Sequence, residues 1–123
     1  MEKNEAIIIL AHGSRKERVS EEFMKLAGQI QDRLPSIRIE PALFQFSKQD
    51  LPEALKKLAS EGYNKIKIVP LFLFQGVHIK EDIPEVISGV KGDFPNMDIS
   101  VSQTLWPDER ILDILTLRIE ETV

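Results

Sequence analysis

The sequence predicts an α/β fold, a three-layer α/β/α arrangement around a four-stranded parallel sheet. Apolar runs rich in β-branched residues alternate four times with segments of helical periodicity, in the order β-α-β-α-β-α-β-α. The clearest runs, such as AIIILA at residues 6–11, are continuous in their apolar character, as in strands buried on both faces of a sheet. The 123 residues contain no linker and no internal repeat, so residues 1–123 are expected to form a single domain.

The strands are predicted at residues 6–11, at 37–46, in an apolar run that starts at residue 66 and ends at Gly76, and at 97–103. Pro41 lies in the second run and indicates an irregular or edge strand, because proline cannot donate a ladder hydrogen bond. Pro70 removes one such bond from the third run, and the sequence offers no reason for it. Gly76 is expected to turn the backbone tightly.

The helices are predicted at about residues 19–34, from Asp50 to residue 60, at about 81–90, and from residue 107 onward. Asp50 is expected to cap the second helix and Gly62 to end it, while Asp82 is expected to cap the third. The last helix is predicted to turn a set of aliphatic side chains towards the core, namely Ile111, Leu112, Leu115, Leu117 and Ile119.

The two histidines of the chain each follow an apolar strand. His12 lies beside Gly13 after the first strand, and His78 lies two residues beyond Gly76 after the third. If the strand order is 2-1-3-4, the winding reverses between these strands, which brings both histidines to the crevice where open α/β sheets bind ligands. A single histidine is more often structural, but a matched pair favours either a metal site with open coordination positions or two general bases near neutral pH.

Composition excludes several classes of function. The net charge of −4 argues against general nucleic-acid binding, and the absence of cysteine excludes disulfides, thiolate nucleophiles and cysteine-ligated iron–sulfur clusters. The N-terminal residues lack the features of a signal peptide, and no apolar run reaches the roughly 20 residues of a membrane span. A cytoplasmic location without a membrane partner is therefore expected.

Four short motifs carry a resemblance to a known family. Residues 11–15 (AHGSR), 69–73 (VPLFL), 76–79 (GVHI) and 82–84 (DIP) resemble, in order and separation, the small-form sirohydrochlorin cobaltochelatases, the class II chelatases of CbiX or SirB type. The resemblance implies a chelatase-like half with flavodoxin-like winding. It also implies insertion of cobalt, or in relatives iron or nickel, into a tetrapyrrole without ATP or an organic cofactor, by a homodimer with a shared cleft.

The resemblance also implies site residues. His12 and His78 match the metal-binding and catalytic histidines of the family, so the divalent metal is a substrate that they hold. Substrate-binding positions are expected at Ser14, Arg15, Gln45 and Gly76, with Ser14 and Arg15 suited to tetrapyrrole carboxylates. Gln45 departs from the family pattern, which has a glutamate here, and an amide neither takes up a proton nor supplies negative charge to a metal.

Two other functions remain open at this stage. Gln45 motivates the first, a non-catalytic carrier or sensor of metal or tetrapyrrole. The second is a phosphate-binding module that uses residues 13–15 at a helix N-terminus. It lacks a full glycine-rich phosphate loop and leaves His78 without a role.

Overall fold

The computed structural model describes residues 4–13, 15–44, 50–76 and 78–121, without the side chains of residues 78 and 79. One π-helical turn, His78–Asp82, lies directly before the third α-helix. The elements in chain order are β1 (Glu5–Ala11), α1 (Glu17–Arg33), β2 (Arg38–Leu43), α2 (Leu51–Ser60), β3 (Lys65–Pro70), α3 (Ile83–Asp93), β4 (Asp98–Val101) and α4 (Glu109–Glu120).

The four strands form one parallel sheet in the order β2-β1-β3-β4. This confirms the predicted fold class and the strand order on which the convergence of the two histidine segments depends. The order places β2 at an edge, as Pro41 indicated. In the register, Ile8 lies opposite Glu40 of β2 and Ile68 of β3.

One face of the sheet, here called the covered face, carries α2 and α3. Even-numbered strand residues such as Ile8, Leu10 and Ile68 point to this side and are fully buried. They pack with Leu55, Leu58 and other residues of the two helices. Most of the buried core therefore lies on this side of the sheet.

Among the described elements, α1 alone covers the opposite face, here called the open face. Phe23 of α1 packs on Ile9 and Ile39, so the helix covers the β1–β2 side. Beside α1 an apolar groove of about 330 Å³ remains. The groove is lined by Ile7, Ile9, Leu26, Ile30, Leu34, Ile37, Ile39, Lys67, Val69, Pro70, Leu71 and Leu105.

The prediction that α4 turns its aliphatic side chains towards the core is wrong for a single chain. Ile111 is only partly covered, and α4 buries none of its residues. The helix leaves the sheet after β4 instead of lying back along the open face. Its exposed aliphatic residues are Leu112, Ile114, Leu115, Leu117 and Ile119.

Three predicted strands are longer than those observed. β2 ends at Leu43, β3 ends at Pro70 instead of continuing to Gly76, and β4 covers only Asp98–Val101. The position of Pro70 explains why a buried strand tolerates it, since the ladder of β3 stops there. The following segment still bonds to its neighbours, but as an irregular backbone.

The predicted caps are partly confirmed. Asp50 accepts a hydrogen bond from the Glu53 N–H at 3.0 Å, and Gly62 ends α2 with a φ of +95°. Asp82 makes no capping bond through its side chain, because the π-helical turn leads directly into α3 and Asp82 is already helical. Within the residues that the structure describes, no helix has both the length and the apolar character needed to cross a membrane.

Candidate functional site at the carboxyl edge of the sheet

Backbone hydrogen bonds continue beyond the strands at their carboxyl ends. The Phe44 N–H donates to the Ala11 carbonyl at 2.8 Å, and the Leu71 N–H donates to the Leu10 carbonyl at 2.7 Å. These bonds hold the segments after β1, β2 and β3 side by side. The residue that follows β1 is therefore attached to an edge that these hydrogen bonds hold together.

His12 is that residue, and its side chain is exposed. Its ring stacks on the ring of Phe72, with centroids 4.0 Å apart and planes inclined by 10°. Phe72 is only 5% exposed and belongs to the core of the covered face. The stacking covers a face of the imidazole, whereas the nitrogen lone pair lies in the ring plane, so the contact orients His12 without using its ligand atom.

Gly13 follows with a φ of +90°, a backbone conformation that suits glycine and few other residues. The backbone therefore turns at the glycine that the sequence places directly after His12.

Gly76 behaves differently from the prediction. Its φ lies outside the left-handed region, and an added Cβ would meet no atom within 4 Å, so the local backbone does not require glycine there. Its carbonyl accepts a hydrogen bond from the Lys80 N–H at 3.1 Å, which ties the loop to the π-helical turn. The exposed surface at Gly76 leaves room for a ligand, and its role in binding stays a prediction.

The backbone of His78 begins the π-helical turn that leads into α3. Because α3 packs on the covered face, this turn lies on the same side of the sheet as the His12–Phe72 stack. Such turns are frequent at functional sites. The side chain of His78 lies outside the described residues, as do Ser14 and Gln45, so the predicted roles of these three residues stay predictions.

Arg15 is exposed just before α1. The N-cap of that helix is Lys16, whose side chain makes no capping bond. Within the described part of the chain, no three histidine, aspartate or glutamate side chains cluster closely enough to hold a metal ion.

A cavity of about 350 Å³ lies at the same edge of the sheet, between the segments that follow β3 and β4. Its lining combines aromatic rings with amide and hydroxyl groups: Phe74, Gln75, Ser102, Gln103, Thr104, Trp106 and Pro107. Next to it, the backbone and side chain of Arg110 donate to the Asp108 carboxylate, which lowers the pKa of Asp108 to about 2. That carboxylate is therefore ionised at neutral pH.

Comparison with known proteins identifies the family. The family model CbiX matches residues 6–122. The chain belongs to the CbiX family. A sirohydrochlorin cobaltochelatase of Sulfurisphaera tokodaii is 31% identical over 95% of this chain and 92% of its own length. A sirohydrochlorin ferrochelatase of Priestia megaterium is 29% identical over 96% of this chain but only 44% of its own length.

Solved structures agree with the fold of this CbiX-family chain. A cobalamin biosynthesis CbiX protein of Marinobacter aquaeolei matches 96% of the chain and 99% of its own, with 27% identity and a TM-score of 0.76. The chelatase SirB of Bacillus subtilis, in complex with cobalt, gives a TM-score of 0.88 at 23% identity. That match covers 95% of this chain and 50% of SirB, so the chain corresponds in fold to about half of SirB.

The sequence analysis assigned no role to Phe72, which lies beneath His12. The register contained the signal. Leu10 pairs with Pro70, so the same register carried two residues further sets His12 opposite Phe72. The histidine that directly follows β1 is thus held by the aromatic residue two positions past the end of β3.

Proposed function

We propose that this chain inserts a divalent metal ion into sirohydrochlorin or a related tetrapyrrole without ATP. Cobalt is the first candidate, and iron and nickel are the others. The proposal rests on the CbiX family match over residues 6–122 and on relatives named sirohydrochlorin cobaltochelatase and ferrochelatase. It makes the metal a substrate and requires no organic cofactor.

The observation that carries the proposal is the placement of His12. An exposed imidazole is held against a buried aromatic ring, at the carboxyl edge of the sheet and on the side where the turn beginning at His78 enters α3. An imidazole fixed by packing loses little conformational freedom when it binds a ligand. Neutral imidazole is a good ligand for cobalt, iron and nickel.

The chemistry requires the metal to be held loosely and two protons to leave. Insertion forms metal–nitrogen bonds in the macrocycle, breaks two pyrrole N–H bonds and releases two protons. We assign His12 and His78 to hold the ion while leaving coordination positions open, and one of them to accept a proton as the ion moves. Because protonated imidazole is not a ligand, metal binding should weaken as the two histidines become protonated at low pH.

The acidic side chains of the tetrapyrrole need donors. Arg15, exposed near the start of α1, and Ser14 are assigned to these carboxylates. Gln45 and Gly76 complete the proposed substrate contacts. The chain matches about half of SirB in fold, so two copies would be needed to form a structure of the size of SirB. This supports a homodimer in which the two copies share one cleft. A cytoplasmic site of action stays a prediction.

The test is absorbance-monitored insertion of Co²⁺ into sirohydrochlorin, repeated with Fe²⁺ and Ni²⁺. The wild-type chain should exceed the uncatalysed rate, and His12→Ala and His78→Ala should each lower that excess by roughly 100-fold or more, as expected when a metal ligand or general base is removed. Gln45→Glu is the matched gain-of-function variant. It restores the usual carboxylate and should raise the rate or shift the metal preference.

Three results would contradict the proposal in different ways. Wild-type turnover that survives loss of both histidines would remove their assigned role. Tight Co²⁺ or tetrapyrrole binding without turnover, with turnover recovered in Gln45→Glu, would favour the carrier or sensor that Gln45 motivates. Clear binding of inorganic phosphate without any divalent-metal binding would favour the phosphate-binding module.

A further inference from the structure

The cavity between the segments that follow β3 and β4 is a part of the carboxyl edge to which the proposed function assigns no role. Both aromatic side chains of its lining are exposed to solvent: Phe74 is 64% exposed, and Trp106, the single tryptophan of the chain, is 37% exposed. Exposed aromatic rings around a cavity at this edge of an α/β sheet are typical of a site for a ligand with a flat, apolar part.

We propose that Trp106 is a specificity-determining residue of the metal-insertion site, and that its ring contacts one edge of the tetrapyrrole in this cavity. The inference rests on the proposed function and deepens it, because it names the contact that recognises the flat ring system. Trp106 takes no part in holding the metal ion, which remains assigned to His12 and His78.

The cavity lies at a suitable distance from His12. The sheet order β2-β1-β3-β4 places β3 between the carboxyl end of β1 and that of β4. Neighbouring strands are about 4.8 Å apart, so these two ends are separated by about 10 Å. A macrocycle whose centre lies at His12 extends outwards over a comparable distance, so its edge reaches the cavity beside Trp106.

Backbone hydrogen bonds fix the wall of the cavity that carries Trp106. The Trp106 N–H donates to the Leu73 carbonyl at 2.9 Å, and the Leu105 N–H donates to the Phe72 carbonyl at 3.0 Å. Phe72 is also the residue on which the His12 ring stacks. The same backbone segment therefore holds both the cavity wall and the His12 ring, so a ligand that contacts both meets a preformed surface.

The polar groups of the lining are neutral. The Thr104 hydroxyl donates to the Trp106 carbonyl at 2.8 Å, and the Ser102 hydroxyl donates to the Gln103 carbonyl at 3.1 Å, so both hydroxyl protons are used within the wall. The side-chain amides of Gln75 and Gln103 also line the cavity. An amide N–H can donate to an acid side chain of the tetrapyrrole without adding a positive charge.

The two ends of the edge therefore hold the substrate by different interactions. Arg15 lies just before α1, which covers the β1–β2 side, whereas the cavity lies between the segments that follow β3 and β4. A contact between Arg15 and a carboxylate is weakened by salt, because ions screen exposed charges. Packing of Trp106 against a flat ring depends on apolar contact area, so sodium chloride should affect it little.

The test measures binding of metal-free sirohydrochlorin to the full-length chain by the absorbance of the macrocycle, followed by steady-state insertion of Co²⁺. Trp106→Ala should raise the dissociation constant of the tetrapyrrole roughly 10-fold and its KM by a similar factor. The kcat should stay within about 2-fold of wild type, because the rim of the macrocycle does not change while the metal enters its centre. Trp106→Phe keeps an aromatic ring and should restore most of the lost affinity.

Leu105→Ala is the matched control. Leu105 is the preceding residue and is 40% exposed, but it lines the groove on the open face instead of the cavity, so tetrapyrrole affinity and KM should be unchanged. The backbone N–H groups of residues 105 and 106 remain in both variants, so both should fold with wild-type circular dichroism. Co²⁺ affinity, measured by isothermal titration without tetrapyrrole, should be unchanged in Trp106→Ala.

Salt dependence distinguishes the two ends of the edge. The loss of tetrapyrrole affinity in Arg15→Ala should shrink when sodium chloride is raised from about 50 mM to about 500 mM, since screening already weakens the charge contact. The loss in Trp106→Ala should be the same at both concentrations.

Three results would overturn the inference and leave the proposed function intact. Wild-type insertion with an unchanged KM in Trp106→Ala would mean that the macrocycle does not reach the cavity. An equal rise of KM in Trp106→Ala and Leu105→Ala would attribute the effect to the segment as a whole. A fall in kcat at constant KM would mean that Trp106 acts through His12 instead of the substrate.

Failure of the proposed function is recognised separately. The wild-type chain would then neither bind sirohydrochlorin nor insert metal into it, before any variant is compared, and this result would overturn both proposals.

Discussion

Strand β1 is apolar on both faces of the sheet, but the two faces are covered unequally. In β1, Ile8 on the covered face is fully buried beneath helices of its own chain, whereas its neighbour Ile7 on the open face lines a groove. A strand that is apolar on both sides is typical of a sheet with helices on both faces. β1 therefore carries more apolar surface on the open face than the elements of one copy cover.

The largest expected difference between the two faces is in the free energy of unfolding after truncation of two adjacent residues of β3. Ile68→Ala on the covered face should lower the free energy of unfolding by about 3 kcal/mol, because it leaves a cavity among fully buried side chains. Val69→Ala on the open face should cost about 1 kcal/mol or less when the groove is uncovered. Urea unfolding of both variants at a protein concentration low enough to keep the copies apart measures the two values.

The same two variants can be measured at a protein concentration at which two copies associate. There the cost of Val69→Ala should rise towards that of Ile68→Ala if a second copy covers the groove. Equal costs of Val69→Ala at the two concentrations would show that Val69 is not covered.

The buried carboxylate of Glu40, on the covered face, should also contribute to the stability of the fold. Glu40 is buried, its carboxylate lies 2.8 Å from Arg38 Nη2 and 3.2 Å from Lys57 Nζ, and α2 carries that lysine. Glu40→Ala should lower the free energy of unfolding by roughly 1–3 kcal/mol, because it removes the acceptor shared by two cations. Urea unfolding at low and high salt provides the measurement.

Glu61→Ala is the control for Glu40→Ala. Glu61 pairs with the same Arg38 at 3.2 Å but at a more exposed position, so its loss should cost about 0–1 kcal/mol. The pKa of Arg38 reflects the same ion pairs: burial lowers it, but Glu40 and Glu61 more than compensate, and the net shift is upward. Equal effects of the two variants would show that burial adds nothing to the Glu40 pair.

The third and smallest prediction concerns the link between the covered face and the site. Phe72→Leu keeps an apolar side chain in the core but removes the ring beneath His12. Stacked pairs contribute about 0.5–1.5 kcal/mol, so Co²⁺ affinity should fall roughly 2- to 10-fold. Isothermal titration at pH 7.5 measures the change.

Phe74→Leu is the control for the stack. Phe74 is 64% exposed on the same loop, and its replacement should leave Co²⁺ affinity unchanged. An equal loss of affinity in both variants would attribute the effect to the loop as a whole instead of the stack.

Much of the fold was predictable because it depends on local chemistry. Apolar runs and helical periodicity determine the number and order of the elements, and residues such as Asp50 and Gly62 mark helix ends through bonds to their own neighbours. The convergence of the segments carrying His12 and His78 at one edge followed from the confirmed strand order.

The remainder depends on relations between distant segments. Periodicity shows that α4 has an apolar side, but it does not specify which surface covers that side, and the core assignment of Leu115 was therefore wrong for a single copy. The end of β3 at Pro70 and the pairing of His12 with Phe72 depend on register, which arises only when strands meet. Gln45 and Ser14 lie outside the described residues, so their predicted roles await measurement.

The exposed aliphatic surface of α4 has a consequence for the protein inside a cell. A chain whose apolar helix is buried only by a second copy gains stability by mass action, so its melting temperature should rise with its own concentration. At low abundance the uncovered helix is accessible to proteases and to aggregation. The level of expression would then also determine how long each copy lasts.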